Sequence, residues 1–349
     1  LDRRGQGPPR GGQPELNLLS SELLPNGATI FGDIREACAG VARAARWVRL
    51  EPLRLAEYAR ALPLAELQAP RYDRIHHFWG EADATLAYLV VLDAINFGSG
   101  YFPALVKRPG LSGYHTVALA LKEAFEAEGP WSAAALRAFT PERCAHVFAQ
   151  PPGEDAAARA RHALMTLFAR ALNDLGAFLA DFDDAFAALI GAAERSAARL
   201  LELLAAMPFY RDVALYRGRR VPFYKRAQIT ASDLSLAFGG RGYGAFHDLG
   251  ELTIFADNLV PQVLRVDGLL EYHPELVGRL ERRELLHPGE EAEVELRAVA
   301  LHAVERLTAE LRAGGVTVSA RQLDVLLWNR GQAPRYRSPP RHRCRTVFY

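Results

Sequence analysis

Cysteine is scarce in this chain. Cys38, Cys144 and Cys344 are the only 3 in 349 residues, and no two stand at CxxC spacing. A disulfide framework and a cysteine-ligated metal site are therefore not expected, and the set reads as reduced thiols of a cytoplasmic protein. An excess of one charge is also missing: Lys+Arg 42 against Asp+Glu 41 leaves a formal net charge of +1. Proteins that track long nucleic-acid polymers are usually plainly basic, so this balance points to a small-molecule ligand, a single nucleotide included. No apolar run approaches the roughly 18 residues that a membrane helix needs. Residues 1–14 lack a hydrophobic signal core and are rich in Gly, Pro and Arg, which predicts a disordered lead-in.

What is present is helical periodicity. Half of the chain (50%) is hydrophobic, enough for a sizeable core. Residues 82–97 place Leu86, Leu89, Val90, Ala94 and Phe97 on one helical face, and 113–129 is amphipathic up to a closing glycine. Thr140 and Pro141 read as the cap and first position of another helix. Residues 155–180 and 183–206 predict two long helices packed as an antiparallel pair. Val213, Leu215 and Val221 alternate around a glycine turn, the signature of a small hairpin. The stretch 250–272 reads as a helix interrupted at Pro261, and 289–315 as a long helix closed by Gly314 and Gly315. The last helix opens with Ser319 and, three residues later, Gln322, a capping box. No repeat and no linker interrupts residues 15–349, so the expectation is one all-α domain with a small β-hairpin.

The usual catalytic motifs do not occur. FGGRGYGAF (238–246) follows a helix and matches neither the dinucleotide-binding nor the P-loop glycine pattern. It is either an ordinary turn or a small-residue loop that lets the backbone lie close to a ligand. His76 and His77 are adjacent, which on a helix aims them about 100° apart and away from a common ion. With no HExxH, no metal is expected, and an isolated histidine is more often a hydrogen-bonded structural group. There is no GxSxG. What remains is carboxylates in apolar company: Asp93, Asp257 and Asp324. Each is either the structural partner of an Arg or Lys or a functional group, because a buried carboxylate is costly unless paired. Carboxylates working without a metal suit cleavage of a glycosidic bond, where they stabilise or trap an oxocarbenium-like sugar. The segment VPFYKRAQITASDL (221–234) adds Lys225, Arg226, Gln228 and Asp233 to an apolar helix, as a solvated face or as a pocket wall for an anionic ligand.

YRDVALYRGRRVPFYKRAQITASDL, GAFHDLGELTIFADNLVPQVL, LDVLLWN and the end HRCRTVFY occur in this order, and together they resemble the queuosine salvage family, from about residue 30 to Tyr349. The resemblance implies a helical fold similar to helix-hairpin-helix DNA glycosylases. It also implies hydrolysis of queuosine 5′-monophosphate to queuine and ribose 5-phosphate, without a cofactor; a monomer is expected. By the same resemblance Asp324 is the catalytic carboxylate and His76, Phe246 and Asp248 line the queuine pocket; His247 is a further substrate-binding candidate. Trp328 and Asn329 join the substrate-binding set; Asn329 stands where relatives commonly carry an acid. Phe246 offers a face for stacking on a base, and Asp248 an acceptor for the N–H donors of a guanine-like edge. Lys225 and Arg226, or the tail residues Arg343 and Arg345, are the candidates for the 5′-phosphate. Two rivals stay open: a DNA glycosylase-like base-excision enzyme, and a helical protein that binds queuine without cleaving anything.

Overall fold

Helix Glu291–Ala313 carries three charged residues through the interior, Glu293, Glu295 and Arg297, each at most 2% exposed in the computed structural model. The structure describes residues 29–67 and 72–349, so the expectation for residues 1–14 lies outside the described residues. Charges this deep need partners, and the partners organise the fold. Glu295 Oε2 accepts the backbone N–H groups of Arg46, Trp47 and Val48 at 2.9, 2.5 and 3.1 Å, while Oε1 accepts the Tyr216 hydroxyl at 2.7 Å. Arg297 donates both terminal nitrogens to Asp212, at 3.0 and 2.5 Å, and its Nε to the Ala256 carbonyl. Around this axis the apolar core runs without a break from Ile30 to Tyr336.

Helices make up 59% of the described residues and strands 6%, an all-α architecture. The expected hairpin pairs Val213–Tyr216 with Arg219–Pro222. Its turn residues, Arg217 and Gly218, both have positive φ (48° and 77°), the geometry that matches strand twist in a two-residue hairpin. Two further pairs of very short strands, Val48–Leu50 with Leu270–Tyr272 and Leu285–Leu286 with Arg343–Cys344, pin loops to the body. All three cysteines are free and buried.

Three expectations are corrected. The stretch 183–206 is not one helix: Phe186–Gly191 and Ala197–Leu204 are separated by Glu194 and Arg195 in left-handed backbone. Its supposed partner, Ala156–Phe178, packs instead on Ala133–Arg137 and Pro141–Val147. There Gly176 allows close approach, since a Cβ would lie 2.7 Å from the Ala133 carbonyl oxygen. That helix and the turn after it, 156–182, are also long and apolar enough to cross a membrane by composition, although Leu164, Phe168 and Leu172 are fully buried in the fold. The third correction is Pro261, which opens a helix, Val260–Val266, where the expectation had it interrupting one. Residues 252–259 before it are irregular, and Asp257 Oδ1 accepts the Leu259 N–H at 2.7 Å.

Candidate active site

A cavity of about 680 Å³ opens between helices Ala82–Ala94, Gly113–Glu128, Lys225–Ala237 and Ala320–Arg330. A second hollow, about 490 Å³, is lined by Glu142, His146, Arg161 and His162 and holds none of the expected site residues.

The helix that brings Asp324 to the cavity floor starts where its capping box dictates. Ser319 N–H donates to Gln322 Oε1 at 3.0 Å, and Gln322 N–H donates to Ser319 Oγ at 3.3 Å. One turn later Asp324 is 4% exposed, and its Oδ1 accepts the Phe255 N–H at 2.9 Å. Burial, and then the nearby Asp257, push its carboxyl well above the ordinary range, against the Phe255 N–H, Lys225 and Arg321. Lys225 lines the same floor, its ammonium without a hydrogen-bond partner among the described residues. Burial makes it easier to deprotonate, a tendency opposed chiefly by Asp257.

Asp233, two turns along the helix from Lys225, faces the cavity, with Asp93 behind it in the protein interior. Burial raises Asp233 to about 7, although Lys225 and Arg321 pull it down. Asp93 has 0% exposure and neither of its oxygens makes a well-formed hydrogen bond among the described residues. Burial first, then the charge of Asp233, drive its carboxyl far up, against Thr230, Asn96 and Lys225.

Aromatic and imidazole rings cover one side. His77 lies 2.8 Å from the Tyr114 hydroxyl, and Tyr114 and His115 stand edge-on to Trp328 at 6.5 and 6.1 Å. His76 Nδ1 is 2.7 Å from Asp73 Oδ2, and its ring tilts against that of His115 at 4.6 Å. Burial lowers His115 to about 4, helped by His76 and His77, so the ring is neutral. Asp73, His76 and His115 each bring a ligand atom within 4.8 Å of the others, a set that could hold a metal ion and that adjacency of His76 and His77 gave no reason to expect. At the rim stand Lys107, Arg337 and Arg341, none of them in an ion pair or side-chain hydrogen bond among the described residues.

His76, Lys225, Asp324, Trp328 and Asn329 therefore come together on one cavity. Arg226 does not: it is 1% exposed and donates to the carbonyls of Asp93, Ala94 and Phe209. Nor do Phe246, His247 and Asp248 line it. Phe246 packs against the core and His247 is exposed. Asp248 accepts the Ser196 hydroxyl and the N–H groups of Ala197 and Ala198 at 2.8, 2.6 and 3.0 Å, capping helix Ala197–Leu204. Of the tail arginines, Arg343 donates to the Arg283 carbonyl and Arg345 lies over the Tyr101 ring. Sequence reasoning missed Asp73, Lys107, Arg337 and Arg341. Lys225 and Asp233, polar groups on the otherwise apolar helix Lys225–Ala237, were a readable signal beside Asp324.

A dry floor of carboxylates, a wall of rings and a rim of unpaired cations define a protein shaped for an aromatic, anionic small molecule. Residues 76–349 match the family described as queuosine salvage protein. A Sphaerobacter thermophilus protein named queuosine 5′-phosphate N-glycosylase/hydrolase is 41% identical over 301 residues, covering 84% of this chain and 91% of its own. Proteins of the same name from Nematostella vectensis (30% identical, 76% of this chain and 82% of the relative) and Mus musculus (36%, 52% and 56%) are also similar. The chain belongs to the queuosine salvage family.

Proposed function

We propose that this protein hydrolyses the N-glycosidic bond of queuosine 5′-monophosphate, releasing queuine and ribose 5-phosphate for renewed tRNA modification. The observation that carries this reading is the 41% identity, over 91% of its length, to a relative whose name states that activity. The chemistry of the cavity supports it. Three rim cations without carboxylate partners repel one another until an anion arrives, and Lys107, Arg337 and Arg341 thus replace Arg226, Arg343 and Arg345 as the phosphate ligands. The burial-lowered affinity of Lys107 for its proton, worsened by Arg341 and Arg337, reflects that repulsion.

Arg341 neighbours Asp257, and Asp257 neighbours Asp324, so a phosphate at the rim puts the ribose over the floor. Queuine is a 7-deazaguanine: the ring nitrogen that purine glycosidases usually protonate is a carbon, which shifts the burden to the sugar. Asp324 stabilises the positive charge on the ribose from a desolvated position, where an ionic interaction is strongest. That same charge favours its ionised form, as Lys225 and Arg321 already do. His76, Trp328 and Asn329 line the space left for the base. In this reading residues 15–349 act as one domain, similar to helix-hairpin-helix DNA glycosylases, as a cytoplasmic monomer that needs no metal or cofactor. Incubation with queuosine 5′-monophosphate and with queuosine, followed by separation of free queuine, tests it. Release of queuine from the nucleotide is expected; binding without release would overturn hydrolysis.

A further inference from the structure

Asp93 and Asp233 are the least explained groups in the interior. A buried carboxyl normally has partners, yet neither oxygen of Asp93 makes a well-formed hydrogen bond among the described residues, although the side chains of Thr230 and Asn96 lie beside it. Arg226 passes it by, donating to the backbone carbonyls of Asp93 and Ala94 and not to the Asp93 carboxyl, and Lys225 acts on that carboxyl only through its charge. Asp233 has no hydrogen bond to its carboxyl among the described residues and opens into the cavity. The groups around it are Asp93, Tyr72, Tyr114, Lys225, Arg321 and, behind Tyr72, Tyr88. The two tyrosines that meet the cavity belong to the ring-lined wall, whereas Asp324 answers to Asp257 on the side of the rim cations. With phosphate at the rim and ribose over Asp324, Asp233 faces the base.

Resting on the function proposed above, we propose that Asp233 is the general acid that protonates the departing 7-deazaguanine, with Asp93 behind it on the interior side. The C1′–N9 bond breaks with its electron pair moving to the base, and the Asp233 proton passes to the base ring. Water then adds to C1′, and the proton that water loses returns to Asp233. A carboxylic acid that still holds its proton near neutrality suits this step. It supplies the leaving-group assistance that a carbon at ring position 7 takes away.

The test compares Asp233→Asn with the unaltered protein on two substrates: queuosine 5′-monophosphate, and the 5-phosphate of a nitrophenyl riboside, whose leaving group departs without a proton. Queuine release by the unaltered protein checks the function itself. The variant is expected to lose about a hundredfold or more of kcat on the nucleotide and less than about threefold on the nitrophenyl riboside. A second readout uses the nucleotide alone. The kcat of the unaltered protein should fall as pH rises through about 7, where Asp233 gives up its proton, and the variant should lack that fall. Equal losses on both substrates, a rise in KM with kcat unchanged, or an unaltered alkaline limb in the variant would each overturn the assignment of Asp233 while leaving hydrolysis standing.

Discussion

Two groups of buried charge lie side by side in this protein and are built on opposite principles. In the first, Arg297 spends its donors on both oxygens of Asp212 and on the Ala256 carbonyl, its guanidinium lies 3.9 Å over the Phe223 ring, and Asp212 also takes the Lys225 N–H. In the second, Asp233, Asp324 and Lys225 line the cavity with Asp93 behind them, and among the described residues their side chains receive a single well-formed hydrogen bond, from the Phe255 N–H to Asp324. The first group is complete without a ligand. The second has hydrogen-bonding and charge capacity left over, the condition under which a substrate is needed to finish it. Satisfaction, more than burial, separates the scaffold from the machinery.

The largest expected effect falls on the complete group. Asp212→Ala leaves Arg297 buried beside Glu293 alone, and stranding a buried cation in this way costs about 3–5 kcal/mol. A thermal melt should drop by roughly 4–7 °C or the chain should fail to fold; a melt within about a degree of the parent would show that the pair is not what holds the axis.

Next comes the incomplete group, where chemistry should suffer and stability should not. Asp324→Asn should lower kcat by about 10²–10³ while KM for the nucleotide changes little. Its stability effect has a definite sign. A carboxyl whose folded affinity for a proton is raised stabilises the fold fully only below its unfolded value near 4, and that contribution is lost as pH rises toward the folded value. The neutral amide escapes this loss, so the variant should melt at or above the parent at pH 8. A lower melt with kcat retained in the folded fraction would move Asp324 into the scaffold.

The rim offers a smaller effect of the same kind. Replacing Arg341 by Gln removes one charge-assisted contact of roughly 1.5–3 kcal/mol. A tenfold or greater loss of kcat/KM on queuosine 5′-monophosphate is expected, with the unphosphorylated nucleoside unaffected. Equal losses on both substrates would mean that the rim cations do not meet the phosphate.

How far the sequence reaches follows from the same distinction. Helix starts were legible wherever a side chain caps its own helix, as at Thr140 and Ser319, because the partners lie within three residues. The break at Glu194 and Arg195 was not, since neither residue announces left-handed backbone and only the packing around them imposes it. Of the site, Asp324 could be singled out because an acid among Leu323, Leu326 and Leu327 is locally anomalous. Arg226 and Asp248 looked equally functional in the chain. Their partners, Ala94 132 residues away and Ala197 51 residues away, appear only after folding. Conversely Lys107, Arg337 and Arg341 look like surface charge until the fold gathers them at one rim.

Asp248 is therefore where the comparison can be sharpened most finely, since it was expected in the base pocket and stands in the scaffold. Burial raises its carboxyl, but the N–H groups of Ala198 and Ala197 and the Ser196 hydroxyl outweigh that and hold it below the ordinary range. Such a group stabilises the fold above its unfolded value near 4, and the benefit fades as pH falls toward the folded one. Asp248→Ala removes a helix cap and should cost about 0.5–2 kcal/mol at neutral pH, the smallest effect of the series. The difference from the parent should shrink in melts at pH 3. Queuine affinity and kcat of the folded variant should stay within about twofold, because no atom of Asp248 faces the cavity and a twofold change is only about 0.4 kcal/mol. A tenfold loss of queuine binding with an unchanged melt would return Asp248 to the pocket, and would mean that the helix Ala197–Leu204 moves to release it when the base enters.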